Sequence, residues 1–469
     1  MGAVRRTTRR TTKGEVTRRV MLEAATTVFL RKGLFDARIA DIAAEASMSK
    51  AAFYRHFSSK SEVLAEVMTQ AKDQSMAALA SRDGAESDGP LFVRLAHANR
   101  RYVAAYRDYA DVIRLVEQQL AVDDAVRAVR RDWQPDFIRP LFDRLSRHQA
   151  GGRVAPEVDL GEAVPALTAT VDNLSYVTFV LRGLDTMPDR LLDAIDRVWG
   201  TVLGLPWSRH DLATVRPEPA GAGVDPAPAA RQSPGDDTAG PGPGPASPGV
   251  EATRVQLLGT ARAVFEKVGY LDARVADITA GAGVAHGTFY NYFQSRFDIF
   301  AALTVNLVDD YLATIHAPPE HPSISTLGHD LRHAIAYYRD NLPFIVVAEQ
   351  FATIDPDCAA VRLRVRATLT GRLRAVIVAL QQAGRADVRL DAEATAEVLI
   401  SMFDRSMFEW HVLGVPADVN AGEAYLPTVW RRALMPPTPP GGGADSTVSA
   451  GGGPPRRDRV NPAGSHPGC

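Results

Sequence analysis

Residues Arg38 to Leu64 read RIADIAAEASMSKAAFYRHFSSKSEVL, a stretch with the rhythm of a helix, a tight turn and a second helix. Ile39, Ile42, Ala43 and Ala46 share one face of the first helix, Ser47-Met48-Ser49 makes the turn, and Phe53 and Phe57 point inward from the second. The pattern returns at Arg274 to Phe300, RVADITAGAGVAHGTFYNYFQSRFDIF, and superposing Phe29 on Phe265 aligns the whole segment at a constant shift of 236 residues. Such self-similarity decides the architecture, and here the repeating unit is a domain, not a solenoid module.

Working outward, Val20, Ala24, Ala25, Val28 and Phe29 recur at three and four, which predicts a helix before the motif that Gly33 stops. Another helix follows from Ser61. Helical patterns then continue at 91–107, 109–121, 123–148, 159–182 and 188–204, with no alternating run that would make a strand. The second half retraces the series, and Glu117, Asp123, Asp172 and Trp199 reappear as Glu349, Asp355, Asp404 and Trp430.

The expected fold is therefore all-α, as two tandem units, each a three-helix helix-turn-helix domain followed by a helical body. The divisions are a basic disordered arm (1–16), helix-turn-helix domain 1 (17–66), body 1 (67–206), a Pro/Gly-rich linker (207–249), helix-turn-helix domain 2 (250–300), body 2 (301–435) and a disordered tail (436–469).

Composition narrows the function classes. The two cysteines, Cys358 and Cys469, exclude a disulfide framework and a cysteine-rich zinc site and fit a reducing compartment. The arginine-rich start runs into a helical pattern containing Glu23 rather than a cleavable leader, and no uninterrupted apolar run is long enough to cross a membrane, so a cytoplasmic, bacterial protein with no membrane partner is expected. His329 and His333 have a zinc-compatible spacing beside Asp330, but no third ligand is near, so no metal site and no cofactor are assigned. The acids Asp123-Asp124 and Asp355-Pro356-Asp357 begin helices, where carboxylates cap free amides. No nucleophile with a paired base and no phosphate loop occurs, so no catalytic residue and no enzyme activity are assigned.

The duplicated stretches resemble the DNA-binding domain of the TetR family of bacterial repressors, with its signature D-I-A-x-x-A-G-V-S-x-G-x-F-Y-x-[HY]-F-x-S-K-x-x-L. Copy one supplies Asp41, Ile42, Ala43, Ala46, Ser49, Phe53, Tyr54, His56, Phe57, Ser59, Lys60 and Leu64. Copy two supplies Asp277, Ile278, Ala282, Gly283, Val284, Gly287, Phe289, Tyr290, Tyr292, Phe293 and Ser295. The resemblance implies that Lys50, Ala51 and Ala52, and His286, Gly287 and Thr288, face bases or the groove floor, as the second helix of such a motif does. It implies phosphate contacts from Tyr54, His56 and Lys60, from Tyr290, Tyr292 and Arg296, and from Thr17-Arg18 and Thr253-Arg254, with Arg38 and Arg274 reaching a base or a phosphate.

Two departures stand out. Ser47 replaces the turn glycine, a left-handed position that costs a non-glycine residue about 1–2 kcal/mol. Ala285 replaces the serine cap, a loss of about 1 kcal/mol. Basic residues outnumber acids around copy one, while copy two is near balance, so copy one is expected to be the stronger anchor on phosphates.

The family resemblance implies a sequence-specific regulator of double-stranded operator DNA, a repressor released by a small apolar ligand. Aromatic candidates for lining its pocket are Tyr102, Tyr106, Trp133 and Phe137 in the first body and Tyr337, Phe351, Phe403 and Trp410 in the second. Two arrangements are open to the last long helices of the two bodies, an intrachain pseudo-dimer or a homodimer joining like units. An alternative has the second helix-turn-helix surviving as a protein-interaction module in a regulatory scaffold.

Overall fold

A computed structural model describes residues 13–81, 89–120, 123–215, 248–315, 323–415 and 418–435. The first twelve residues of the expected arm, most of the linker and the tail lie outside them. Among the described residues every regular element is helical.

The first half runs α1 (Lys13–Asp36), α2 (Ile39–Glu45), α3 (Lys50–Tyr54), α4 (Lys60–Ser81), α5 (Leu91–Asp108), α6 (Ala110–Leu120), α7 (Asp124–Ala150), α8 (Leu160–Ser175), α9 (Asp189–Leu203) and α10 (Arg209–Thr214). The second runs α11 (Pro248–Asp272), α12 (Val275–Gly281), α13 (His286–Phe289), α14 (Arg296–Thr314), α15 (Ile324–Asp340), α16 (Leu342–Ala352), α17 (Pro356–Gln382), α18 (Ala392–Phe408) and α19 (Val419–Leu434). A wide π-helical turn extends α8 over Tyr176–Leu181, and another extends α18 over Glu409–Leu413.

Local chemistry sets the ends of these helices. Asp123 accepts from the amides of Ala125 and Val126 (2.9 and 3.2 Å), and Asp355 from those of Asp357 and Cys358 (2.8 and 3.2 Å), so these acids are caps. Gly33 and Gly269 take positive φ (75° and 74°) and kink α1 and α11.

Two boundaries differ from the sequence reading. Lys13 to Val16 already belong to α1, so the expected arm is shorter by those residues. Body 1 runs on through α10 to Val215, because Trp207, Leu212 and Val215 are buried and Trp207 stacks on Phe92 at 6.2 Å, so residues 207–215 are not linker. Those apolar side chains offset the ordering cost that the flanking proline-rich composition could not.

Helices α8, α9, α18 and α19 pack into a four-helix bundle whose apolar core spans both halves. The segment Leu160–Leu181 is long and apolar enough to cross a membrane, yet 83% of its most apolar 18 residues are buried, as befits the central helix of a protein core. Polar groups stitch the bundle across the halves: the Asp159 amide donates to Tyr425 (2.9 Å), Arg432 to the Val202 carbonyl (2.8 Å) and Arg197 to the Arg389 carbonyl (2.7 Å).

Below the bundle, α6 and α16 touch, with Gln118 donating to the Thr353 carbonyl (3.0 Å) and Gln350 to that of Gln118 (3.1 Å). Helix α6 packs on α1 and α4, and α16 on α11, so these two helices join the bundle to the two helix-turn-helix domains.

Candidate nucleic-acid interface and ligand cavity

In the first domain α1, α2 and α3 close over Met21, Phe29, Ile42, Phe53 and Phe57, and in the second α11, α12 and α13 close over Phe265, Ile278, Phe289 and Phe293. The turn before the third helix needs a left-handed residue. Gly283 supplies it at φ 62°, while Ser47, at φ 53°, is the one non-glycine residue with positive φ among the described residues. Ser49 caps α3 by accepting from the Ala52 amide at 3.1 Å, whereas Ala285 offers α13 no side-chain cap and that helix has only four residues.

These cores leave an outward face on each third helix. Lys50 and Ala51 are exposed on one, His286 and Gly287 on the other, with Tyr54 (57% exposed) and Tyr290 (52%) standing beside them and His56 and Tyr292 half-buried. Both stretches match the family described as "Bacterial regulatory proteins, tetR family", over residues 21–67 and 257–303. The chain carries two TetR-family DNA-binding domains in tandem. It is a TetR-like transcription regulator.

Solved structures that match the chain include the fatty acid degradation regulator FadR from Bacillus halodurans, at 17% identity, covering 40% of this chain and 97% of its own at a TM-score of 0.34. GusR of Salmonella enterica follows at 18%, 39% and 95%, with a TM-score of 0.35, and a TetR-family transcriptional regulator from Rhodococcus sp. at 17%, 40% and 98%, with 0.33. No curated protein matches the chain.

Several residues assigned to DNA by the TetR resemblance are engaged inside their own domain. The Ala52 side chain is buried, at 9% exposure, while its counterpart Thr288 is half-buried. The Arg18 guanidinium lies 4.1 Å over the Phe57 ring and is ion-paired with Glu66, its Nε donating to Oε1 at 2.7 Å. Lys60 Nζ donates to the Leu34 and Ala37 carbonyls (2.5 and 3.1 Å), and Arg296 donates to those of Leu271 and Ala273 (2.9 and 2.7 Å). Both cations thus satisfy carbonyls between the first two helices of each TetR-family domain, and burial pulls the Lys60 pKa down.

Arg254 differs from Arg18. It stacks over Phe293 at 5.7 Å and has no carboxylate within ion-pair distance among the described residues, because the position matching Glu66 is Ala302. Arg38 and Arg274 are exposed, Thr17 is half-buried, and Thr253 donates to the Gly249 carbonyl. Much of the basic excess counted around copy one is accordingly neutralised by Glu66 or lies in residues 1–12, outside the described residues.

The first body encloses a cavity of about 400 Å³ between α4, α5, α6, α7 and α8. Tyr102, Tyr106, Trp133 and Phe137, the four first-body candidates, all line it. The second-body candidates do not meet in this way. Phe351 packs on Tyr270 (4.9 Å) in the core of the second TetR-family domain, Trp410 presses against Gly422, Tyr337 donates to the Leu307 carbonyl, and Phe403 stands edge-on to Tyr338.

One end of the cavity is charged, which the sequence reading missed because its partners lie far apart in the chain. Asp172 accepts from Tyr102 (2.8 Å) and pairs with Arg130 (3.2 Å) and with Arg405 from the second half (2.6 Å). Arg405 also reaches Glu117 (3.2 Å) and Glu409 (3.5 Å), and Glu409 accepts from Gln134 (2.6 Å). Burial pushes Asp172 up, but Arg405 and Arg130 outweigh it and hold the carboxyl below its ordinary value. For Glu409 burial prevails over both arginines, pushing it up to about 7.

Lys50→Ala should weaken DNA binding and lower the salt slope by about one while leaving stability intact, whereas Lys60→Met should lower the thermal midpoint of the first domain. Equal loss of salt slope in both variants would contradict the inward role of Lys60. Because Glu409 titrates near 7 folded and near 4.5 unfolded, the folded chain holds the extra proton between those values. Its contribution is complete below about pH 4.5 and lost as pH rises through about 7, so Glu409→Gln should flatten the fall in thermal midpoint across that window.

Proposed function

We propose that the protein is a transcriptional repressor, acting in the bacterial cytoplasm, in which one chain does the work of a TetR-type dimer and an apolar molecule in the first body releases the operator. The supporting observation is the bundle of α8, α9, α18 and α19, in which the last helices of both halves cover each other inside one polypeptide. An apolar face covered in this way is not available to a second chain, so each complex presents two unlike reading heads: Lys50 and Ala51 with Tyr54, and His286 and Gly287 with Tyr290. Release by a ligand requires it to bind one spacing of the heads better than the other, and the cavity wall includes α6, which touches α16 and carries the first head.

The uncapped, four-residue α13 favours a second reading, in which the second head grips DNA weakly and serves chiefly as a contact for another protein. The heads therefore need separate tests. On a natural site, the footprint should show two half-sites of unlike sequence about one helical turn apart, protected by one chain. Tyr290→Ala should lose protection of one half only, and Tyr54→Ala of the other. Full protection of both halves in Tyr290→Ala would move the second head to the protein-contact reading, and a strictly palindromic minimal site would overturn the pseudo-dimer.

A further inference from the structure

The two bodies keep one register, a shift of 232 residues, from α5 and α15 through α8 and α18, and it narrows to 231 at Trp199 and Trp430. Helices α7 and α17 have the same length, 27 residues, start at the capping residues Asp123 and Asp355, and end beside Gln149 and Gln381. Each of those glutamines donates to two carbonyls of the following loop, Ala155 and Val158 in one half, Asp387 and Leu390 in the other. The same register pairs Tyr106 with Tyr338, Glu117 with Glu349, Arg130 with Arg362 and Asp172 with Asp404.

In the first half these four residues border the cavity of about 400 Å³, and in the second their counterparts border a space of only about 40 Å³ on the seam with the first half, closed by Glu117, Leu120, Asn173 and Tyr176 from that side. That is room for roughly one or two waters and no larger ligand. Three of the lining positions carry larger side chains in the second body. Gln134 is replaced by Arg366, only 1% exposed, which pairs with Asp404 (2.8 Å) and bonds Ser401 and the Glu397 carbonyl. Val171 becomes Phe403, which packs on Tyr338, and Thr168 becomes Ile400.

We propose that each chain takes a single neutral, apolar ligand, in the first body alone, the matching site in the second body having been filled by Arg366 and Phe403. The proposal rests on the ligand-release reading and sets its stoichiometry and ligand class. Neutrality follows from the charged end of the cavity. Asp172 and Glu409 already hold Arg130, Arg405 and Gln134, and Lys72 on the opposite wall is paired with Asp136 at 2.6 Å. A charged ligand would have to break the buried Asp172 cluster or draw Lys72 from the half-exposed Asp136, while an uncharged one meets aromatic and aliphatic walls and leaves both intact. The asymmetry also means that ligand acts on one side of the bundle, and its effect reaches the second head through α6 and α16.

The test uses the full chain and the uncharged probe N-phenyl-1-naphthylamine, with uptake read by fluorescence and by equilibrium dialysis. One equivalent per chain is expected, with affinity falling by about tenfold or more in Val171→Phe, which copies the second body, and in Ala105→Trp, which fills the same cavity from α5. Far-ultraviolet circular dichroism and operator binding identify any variant that has simply unfolded. Two equivalents in the parent chain, one equivalent that survives both folded variants, or no uptake would overturn the proposal. Single uptake that leaves operator binding unchanged would sustain the proposal and remove ligand release, whereas double uptake that releases the operator would do the reverse.

Discussion

Arg405, 4% exposed, comes from the second half and lies among Asp172 and Glu117 of the first and Glu409 of its own helix. An arginine buried to that extent is stable only with its counterions, and removal of one partner from such a group costs about 3–5 kcal/mol. Two of the three counterions belong to the other half, so neither half can bury its share of this cluster alone. The bundle of α8, α9, α18 and α19 is thereby tied polar group to polar group as well as by its apolar seam. The first cavity, the helices beneath it and the positions of both reading heads are built against that join.

A covalent pair of halves is free in a way that two identical chains are not. In a symmetric dimer every substitution occurs twice, and both sites change together. Here the two halves differ in kind. One body kept Gln134 and Val171 around an open cavity, and the other holds Arg366 and Phe403 in the matching space. One head has a strained turn at Ser47 and a capped α3, while the other has a relaxed turn at Gly283 and an uncapped α13. Each head thus carries one small defect, and each is held by a different neighbour: α6 under the first and α16 under the second.

The parts legible in the sequence were those fixed by local rules. The helix-turn-helix repeat, the left-handed strain at Ser47, the missing cap at Ala285 and the capping role of Asp123 and Asp355 all depend on residues within a few positions of one another. The four first-body aromatics converged on a cavity because they lie on successive turns of α5 and α7. What escaped were pairings across long stretches of chain. Nothing near Arg18 or Lys60 announces that Glu66 and the α1 carbonyls will hold them inward, and nothing near Glu409 announces Gln134. The helical turn at Arg209–Thr214 was hidden by proline-rich composition on its far side, although Trp207 and Leu212 pack it firmly.

The two halves of one polypeptide satisfy each other across the α8, α9, α18 and α19 bundle. Sedimentation equilibrium of the purified chain at micromolar concentration addresses this directly. A single species at the mass of one chain, 50.7 kDa, is expected. A stable species of twice that mass, formed through the α8, α9, α18 and α19 surfaces, would contradict it.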